Sequence, residues 1–301
     1  MDRLSTSLLQ ERPAMERLAV PAERDRARQP GAWAGAARAL VREHGVAAAL
    51  AVASIGSLFL LWYLGTRYQV EFYIRFKNVP TPYAVLQEAA TIGLSGNFST
   101  HILTSLRRIL AGFGIAVALG VGLGLMVGRY RRVSELVMPA VEVLRPIPAI
   151  AWVPMSIMLW PTSETSIVFI TFLGAFFPIL LDTVHGVRSL DGVLLRAGRC
   201  LGAGELQLFR HVILPGVLPH IFTGLAIGMG VAWVSLIAAE MISGQFGIGY
   251  YTWEAYSLVN YPAIVLGMIT IGVLGLGCSG AIRLAGRMAT PWLAYASGAK
   301  K

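Results

Sequence analysis

Charge is scarce in this chain. Of its 301 residues, 14% are Asp, Glu, Lys or Arg, against about 25% in an average soluble domain. Apolar residues make up 55%, and mean hydropathy is +0.64. That balance excludes an ordinary soluble domain and predicts a chain that crosses a membrane several times. Cysteine is nearly absent. Cys200 stands in a polar segment and Cys278 in an apolar run, which argues against a structural disulfide and offers no metal-ligand spacing. No G-x-x-x-x-G-K-[ST] phosphate loop occurs, so any ATP hydrolysis is expected on another chain. The first 44 residues carry eight Arg and six acids without an apolar core, which is not the pattern of a cleavable signal peptide.

Long apolar runs are what the chain does have, and a membrane span takes about 20 such residues. Residues 45–66 contain no charge at all. Residues 109–128 form a second run, with Gly120, Gly124 and Gly128 at a four-residue spacing that lets a neighbouring helix approach closely. Residues 146–163 are uncharged but interrupted by Pro146, Pro148, Pro154 and Pro161, which predicts a kinked span. Residues 165–181, 212–239 and 255–282 complete the count. The fold class expected is an all-α polytopic membrane protein of about six spans. The outer loop 67–100 holds an aromatic, mixed-charge stretch, TRYQVEFYIRF, suited to an interfacial segment.

Net charge is +9, which in a soluble protein would raise nucleic-acid binding. Here the basic residues cluster at the edges of apolar runs, where they set orientation, and no nucleic-acid partner is expected. With the N-terminus inside, the tail carries eight Lys and Arg, the GRYRR loop three, residues 182–211 four and residues 283–301 four. That is nineteen of twenty-five on one side, predicting an N-in, C-in topology. The division is a cytoplasmic tail over 1–44, a solvated arm that sets topology, and a transmembrane domain over 45–301.

Residues 195–215, LRAGRCLGAGELQLFRHVILP, are a polar break between two spans, placed in the cytoplasm by this topology. Gly202 is suited to end a short helix, small Ala197 and Gly198 permit close docking, and Pro215 suits the first turn of the next span. The segment resembles the coupling motif of bacterial ABC-importer permeases, E-A-A-x-x-x-G followed by nine residues and I-x-L-P. Gly202 stands at the glycine position, Val212 at the isoleucine, and Leu214-Pro215 at the end. Arg196-Ala197-Gly198 replaces the usual Glu-Ala-Ala, so the acid that would pair with an ATPase is missing. With Arg199 three residues on, the helix is basic, and an acidic or neutral groove is expected on its ATPase.

Further pieces narrow the resemblance. RPIPAIAW (145–152), FFPILLDTVHGV (176–187), FTGLAIGMGVAW (222–233) and AAEM…GIGY (238–250) together resemble the nitrate/sulfonate/bicarbonate, or taurine-type, permeases over roughly residues 100–293. AAEMISGQFGIGYYTWEAY with FFPILLDTV resembles the nitrate/cyanate branch. The resemblance implies a multi-pass permease domain in the bacterial inner membrane with a coupling segment over 188–215. There Arg196, Ala197, Gly198, Gly202, Ala203, Leu214 and Pro215 would meet the ATPase. It also implies a second copy of the chain, a cytoplasmic ATPase dimer carrying ATP and Mg, a periplasmic or lipid-tethered substrate-binding protein, and surrounding lipid. This chain itself would bind no cofactor and perform no catalysis.

For the translocation path of a small anion the candidates are Arg145, Met229, Trp233, Ser235 and Glu240. An ionisable group within a span marks function unless it is paired. Glu240 is first read as capping the following Gly-rich turn, or pairing with Arg107, Arg108 or Arg145, and second as a gate. The three arginines suit an oxyanion because a guanidinium offers two parallel donors, although topology or helix pairing accounts for them too. His220 is read as a buried hydrogen-bonding residue. Asp182 and His185 lack further ligands for a metal. Trp152, Trp160, Trp233 and Trp253 serve packing or interfacial anchoring. A secondary transporter driven by an ion gradient is the rival, but no internal repeat supports it. A membrane enzyme would need a nucleophile–base pair that is not found.

Overall fold

The structure, a computed structural model, describes residues 32–68, 78–93 and 96–292. Among these residues every regular element is helical. Hydrocarbon offers the backbone no partner, and a helix satisfies its own N–H and C=O groups within one segment. The chain divides into two units, 1–68 and 69–301.

In the first unit, α1 (Ala32–Arg67) is one continuous helix of 36 residues. Its stretch Ala49–Arg67 is long and apolar enough to count as a span. The expected boundary at residue 45 therefore falls inside a helix, because Ala, Leu and Arg before it are all good helix formers. The rest of the tail, residues 1–31, lies outside the described residues, as does 69–77 of the aromatic loop segment.

The second unit holds α2 (Pro82–Gly93), α3 (Asn97–Arg129), α4 (Arg131–Leu144), a 3-10 turn (Ala149–Trp152), α5 (Val153–Leu159), α6 (Ser163–Arg188) and α7 (Gly192–Cys200). Then come α8 (Glu205–Ser243), α9 (Ile248–Ser257) and α10 (Tyr261–Ala289). Helices α3, α6, α8 and α10 are each long and apolar enough to span a membrane. With α1 that gives five spans among the described residues, or six if a bent pair is one span.

The bent pair corrects the expected third span. Residues 146–163 are not one kinked helix. The pair is Arg131–Leu144, which the hydropathy pattern left unassigned, and Ala149–Leu159, set at 85°. The helix ends at Leu144, Pro146 and Pro148 remove two backbone donors beyond it, and Pro148, at φ −58°, ψ 139°, is the extended residue from which the Ala149–Trp152 turn starts. The sixth expected span is shifted as well. Residues 255–257 belong to α9, and the chain turns at Val259, φ +58°, before the Asn260 side chain caps α10 by accepting the Ala263 N–H at 3.3 Å. Helix α2 was left within a loop by the sequence pattern.

Helix α6 is the centre of this unit, packed along α3 on one side and α8 on the other. Glycine sets both approaches. On α3, Gly112, Gly120, Gly124 and Gly128 face Thr171, Ile179, Thr183 and Val187 of α6, so the expected close contact is made. On α8, Gly224 and Gly228 face Asp182 and Ile179, while Gly174 and Gly186 of α6 receive Ser235 and His220. Around these contacts Ile109, Phe113, Ile167, Ile170, Ile179, Met229, Trp233 and Leu236 close a buried core.

The helix contact predicts a contrast between two glycines of α3. A Cβ on Gly124 would lie 2.6 Å from Thr183 Cβ, whereas one on Gly122 meets nothing within 4 Å. Gly124→Ala is expected to destabilise by about 1–3 kcal/mol. Gly122→Ala is expected to be neutral or better by up to about 1 kcal/mol. Thermal unfolding of the two purified variants in one detergent decides; equal melting points would refute the packing argument.

Candidate functional site

Two polar clusters sit at opposite ends of the helices that flank α6. The first is the break between α6 and α8. Asp191 starts α7, its side chain accepting the Val193 N–H at 2.8 Å. At the other end the Gly202 N–H donates to Arg199 O at 2.9 Å, and the Ala203 N–H reaches back to Gly198 O at 3.0 Å. These paired bonds close the helix with Gly202 at φ +82°, a left-handed position that favours glycine. Gly198 faces Leu208 so closely that a Cβ there would strike its side chain. This brings α7 against the start of α8.

Glu205 secures the arrangement. Its carboxylate accepts from Arg199 at 3.0 Å and from Arg129, at the end of α3, at 2.5 Å. Arg199 thus shares one carboxylate with Arg129, while Arg196 has no ion-pair partner among the described residues. Sequence inspection missed Glu205; its signal was an acid six residues past Arg199, on the far side of the Gly202 turn. The exposed tip consists of Arg196, Ala197 and Gly202 together with Leu201, 88% exposed, and Leu206, 79% exposed. Ala203, Leu214 and Pro215 are half-buried.

Pro215 stands in the first turn of the α-helical run Leu214–Ser243, as expected from sequence. Helix α8 already begins at Glu205 and passes through a π turn, Phe209–Ile213, where the Leu214 N–H bonds Phe209 O five residues back. The wider turn absorbs the N–H that Pro215 lacks.

The second cluster joins the start of α3, the start of α6 and the end of α8. Arg108, 3% exposed, donates through Nε to Glu164 at 2.8 Å and through Nη2 to the other oxygen of the same carboxylate. Its Nη1 donates to Glu240 at 3.0 Å and to Phe246 O at 2.5 Å. Glu240 is fully buried and also accepts from Ser105 Oγ at 2.8 Å and from the Gly249 N–H at 2.9 Å. Ser105 Oγ in turn accepts the Ile248 N–H at 2.9 Å. The Gly247 N–H donates to His101 Nδ1 at 3.1 Å, and with φ +118° Gly247 lies where a Cβ would collide with the Glu240 carboxylate. Beside them Tyr251 meets Phe98 edge-on at 5.1 Å, and burial, with the Glu88 and Glu254 charges, pushes its phenol up to about 12.

Glu240 therefore caps the Gly-rich turn and pairs with Arg108; Arg107 and Arg145 take no part. Of the five path candidates, Arg145 borders a cavity. Met229, Trp233, Ser235 and Glu240 are each less than 5% exposed and lie in the packed interior, because Gly174 and Gly228 let α6 and α8 close over them. Near the α7 end, His220 Nε2 lies 3.3 Å from Ser189 Oγ and its ring meets His185 at 5.4 Å. Among the described residues no group of three His, Cys, Asp or Glu is placed to hold a metal.

A buried ion pair is costly to break because the remaining charge stays behind unpaired. Glu240→Ala is expected to lose about 3–5 kcal/mol of stability. Glu164→Ala, at a carboxylate 62% exposed, is expected to cost only about 1 kcal/mol. Denaturation of both variants under one condition tests this; similar losses would contradict the burial argument.

The same helices match known sequences. Residues 116–293 match the family described as the binding-protein-dependent transport system inner membrane component. The chain is 38% identical over 214 residues to a probable ABC transporter permease of Brucella melitensis, covering 71% of this chain and 87% of that protein. It is 32% identical over 208 residues to the nitrate import permease of Synechocystis, covering 66% and 76%. To the taurine transport system permease of Escherichia coli it is 31% identical over 248 residues, covering 81% and 89%.

Proposed function

The chain belongs to the family of binding-protein-dependent transport system inner membrane components, and we propose that it forms half of the path by which a small oxyanion enters the cell. It is a multi-pass membrane permease of an ABC importer. Membership implies two kinds of partner, an ATPase and a substrate-binding protein. The ion-gradient transporter has no support from these relatives.

The observation that carries the coupling role is α7, a short capped helix with an exposed tip, held between two membrane-length helices. Arg196, Ala197, Leu201 and Leu206 offer the ATPase one cation set among small and apolar groups. Because Glu205 ties α7 to α3 and α8 together, a push on the tip moves both neighbours of α6. The Lys and Arg bias favours this end in the cytoplasm, with ATP and Mg bound by the ATPase. The opposite end, built on Arg108, then faces the binding protein, and a second copy of the chain completes the path. A substrate bearing an oxyanionic group is supported by relatives whose names specify nitrate and taurine, the latter a zwitterion with a sulfonate. Their identities, 32% and 31%, do not separate the nitrate branch from the taurine branch.

The test is Gly202→Trp in the assembled importer. At φ +82° the new side chain strains the turn and displaces the tip. ATP hydrolysis should continue while uptake falls by about tenfold or more, a loss of about 1.4 kcal/mol or more in coupling. Membrane insertion should be unchanged. Normal uptake by this variant would refute the coupling role, and uptake by the chain without any ATPase would refute the importer reading.

A further inference from the structure

Arg145 occupies a position that needs its own explanation. It caps the C-terminus of α4, its N–H bonding Val141 O at 2.9 Å. Arg108, Arg129, Arg131, Arg188 and Arg199 each hold a side-chain acceptor, whereas exposed Arg107, Arg132 and Arg196 hold none among the described residues; Arg145 differs from these three in lying beside an apolar groove. The Arg145 guanidinium has no hydrogen bond or ion pair among the described residues. The backbone just beyond it, at Pro146 and Pro148, is not helical.

Depth makes this unusual. Arg145 is exposed in the single protomer, where it lines an open groove of about 450 Å³ with Trp152, Phe177 and Leu181. At a rise of about 1.5 Å per residue, Phe177 lies about 20 Å along α6 from Glu164 and about 17 Å from Arg188. The cavity is thus near the middle of the bundle. Irregular backbone at such depth is tolerated only inside protein or beside a water-filled space, and an unpaired Arg facing lipid is costly. At about 30 Å³ per water, the cavity has room for a small ion with part of its hydration.

The walls give the cavity its sign. No acid lines it. Helix α5 has no charged residue, and α6 has none between Glu164 and Asp182. Helix α8 contributes only Val231. Glu142, one turn back on α4, is exposed, lies outside the lining and is not paired with Arg145.

We infer that Arg145, at the α4–α5 break, is a transient station for a small oxyanion, taking two anion oxygens on its forked N–H donors. The site rests on the small-anion reading above and gives it a location. The prolines and Phe177 supply bulk without a donor, and the Trp152 indole N–H is the one further side-chain donor in the lining, so the anion is lowered in energy without being trapped. The buried candidates on α8 need not touch it in this conformation.

The test uses the intact importer, with its ATPase and binding protein, in proteoliposomes. Labelled nitrate, bicarbonate and taurine are the separate probes. For whichever anion the wild type imports, Arg145→Gln should lower uptake about tenfold or more, the scale on which one-sign clefts concentrate counter-ions. Arg145→Lys should restore a substantial share, and hydrolysis stimulated by the loaded binding protein should persist in both. Wild-type uptake by Arg145→Gln would overturn the station. So would equal loss of uptake and stimulated hydrolysis, which would mark a helix-positioning role.

A second arm needs no substrate. Ala149→Cys, in a Cys200→Ser and Cys278→Ser background, is modified with anionic and cationic thiosulfonates. The anionic reagent should be favoured when Arg145 is present and lose that preference in Arg145→Gln. No modification, or no change in preference, overturns the station. If the charge preference holds but the wild type imports none of the three anions, the station stands and the choice of substrate fails.

Discussion

The second unit depends on how closely α3 and α8 approach α6. Lipid tails are as apolar as leucine, so burying leucine gives little drive for helices to associate within a bilayer. Close contact between backbones and well-filled gaps must supply it. Glycines on α3 and α8, and on α6 itself, remove the Cβ atoms that would hold the axes apart. The β-branched and small side chains of Thr171, Ser235, Ile179 and Thr183 fill the gaps that result. The core around Ile167, Ile170 and Trp233 is possible only at that separation.

Such packing leaves α6 little freedom, and the polar groups at its two ends are organised differently. At one end Arg108 satisfies a buried carboxylate on α8 and an exposed one on α6, while Ser105 and the Gly247–Gly249 turn complete the bonding. That cluster ties three helices by desolvated charge. At the other end Glu205 ties α3 and α7 through exposed ion pairs, which are individually weak. The contrast suits a machine driven at the α7 tip: strong closure away from the tip, adjustable contacts beside it. Between them lies the α4–α5 break, where Arg145 has no partner among the described residues.

Much of this was visible in the order of residues. The helical class, the glycine face of α3 and the short helix ending at Gly202 each follow from local rules about length, spacing and backbone conformation. Glu240 was legible as a cap for the Gly-rich turn after it, with Arg108 among three possible partners. Choosing Arg108 over Arg107 and Arg145 needed the rotation of α3 relative to α8, which no local pattern supplies. Half of the Glu205 pairing was legible, since Arg199 lies six residues back, but its other partner Arg129 lies 76 residues away. Leu208 gave no sign that it meets Gly198.

Hydropathy also has a definite blind spot. It counts apolar length and does not see backbone direction, so it merged 146–163 into one span and missed α4 as its companion. Hydrocarbon and helix geometry act locally, so composition, glycine spacing and proline position determined the class, the helices and the capped α7. Burial and ion pairing depend on which helix faces reach one another in three dimensions. Tertiary structure alone therefore decided that Met229, Trp233 and Ser235 are sealed within the core and that Arg145 is left facing open space.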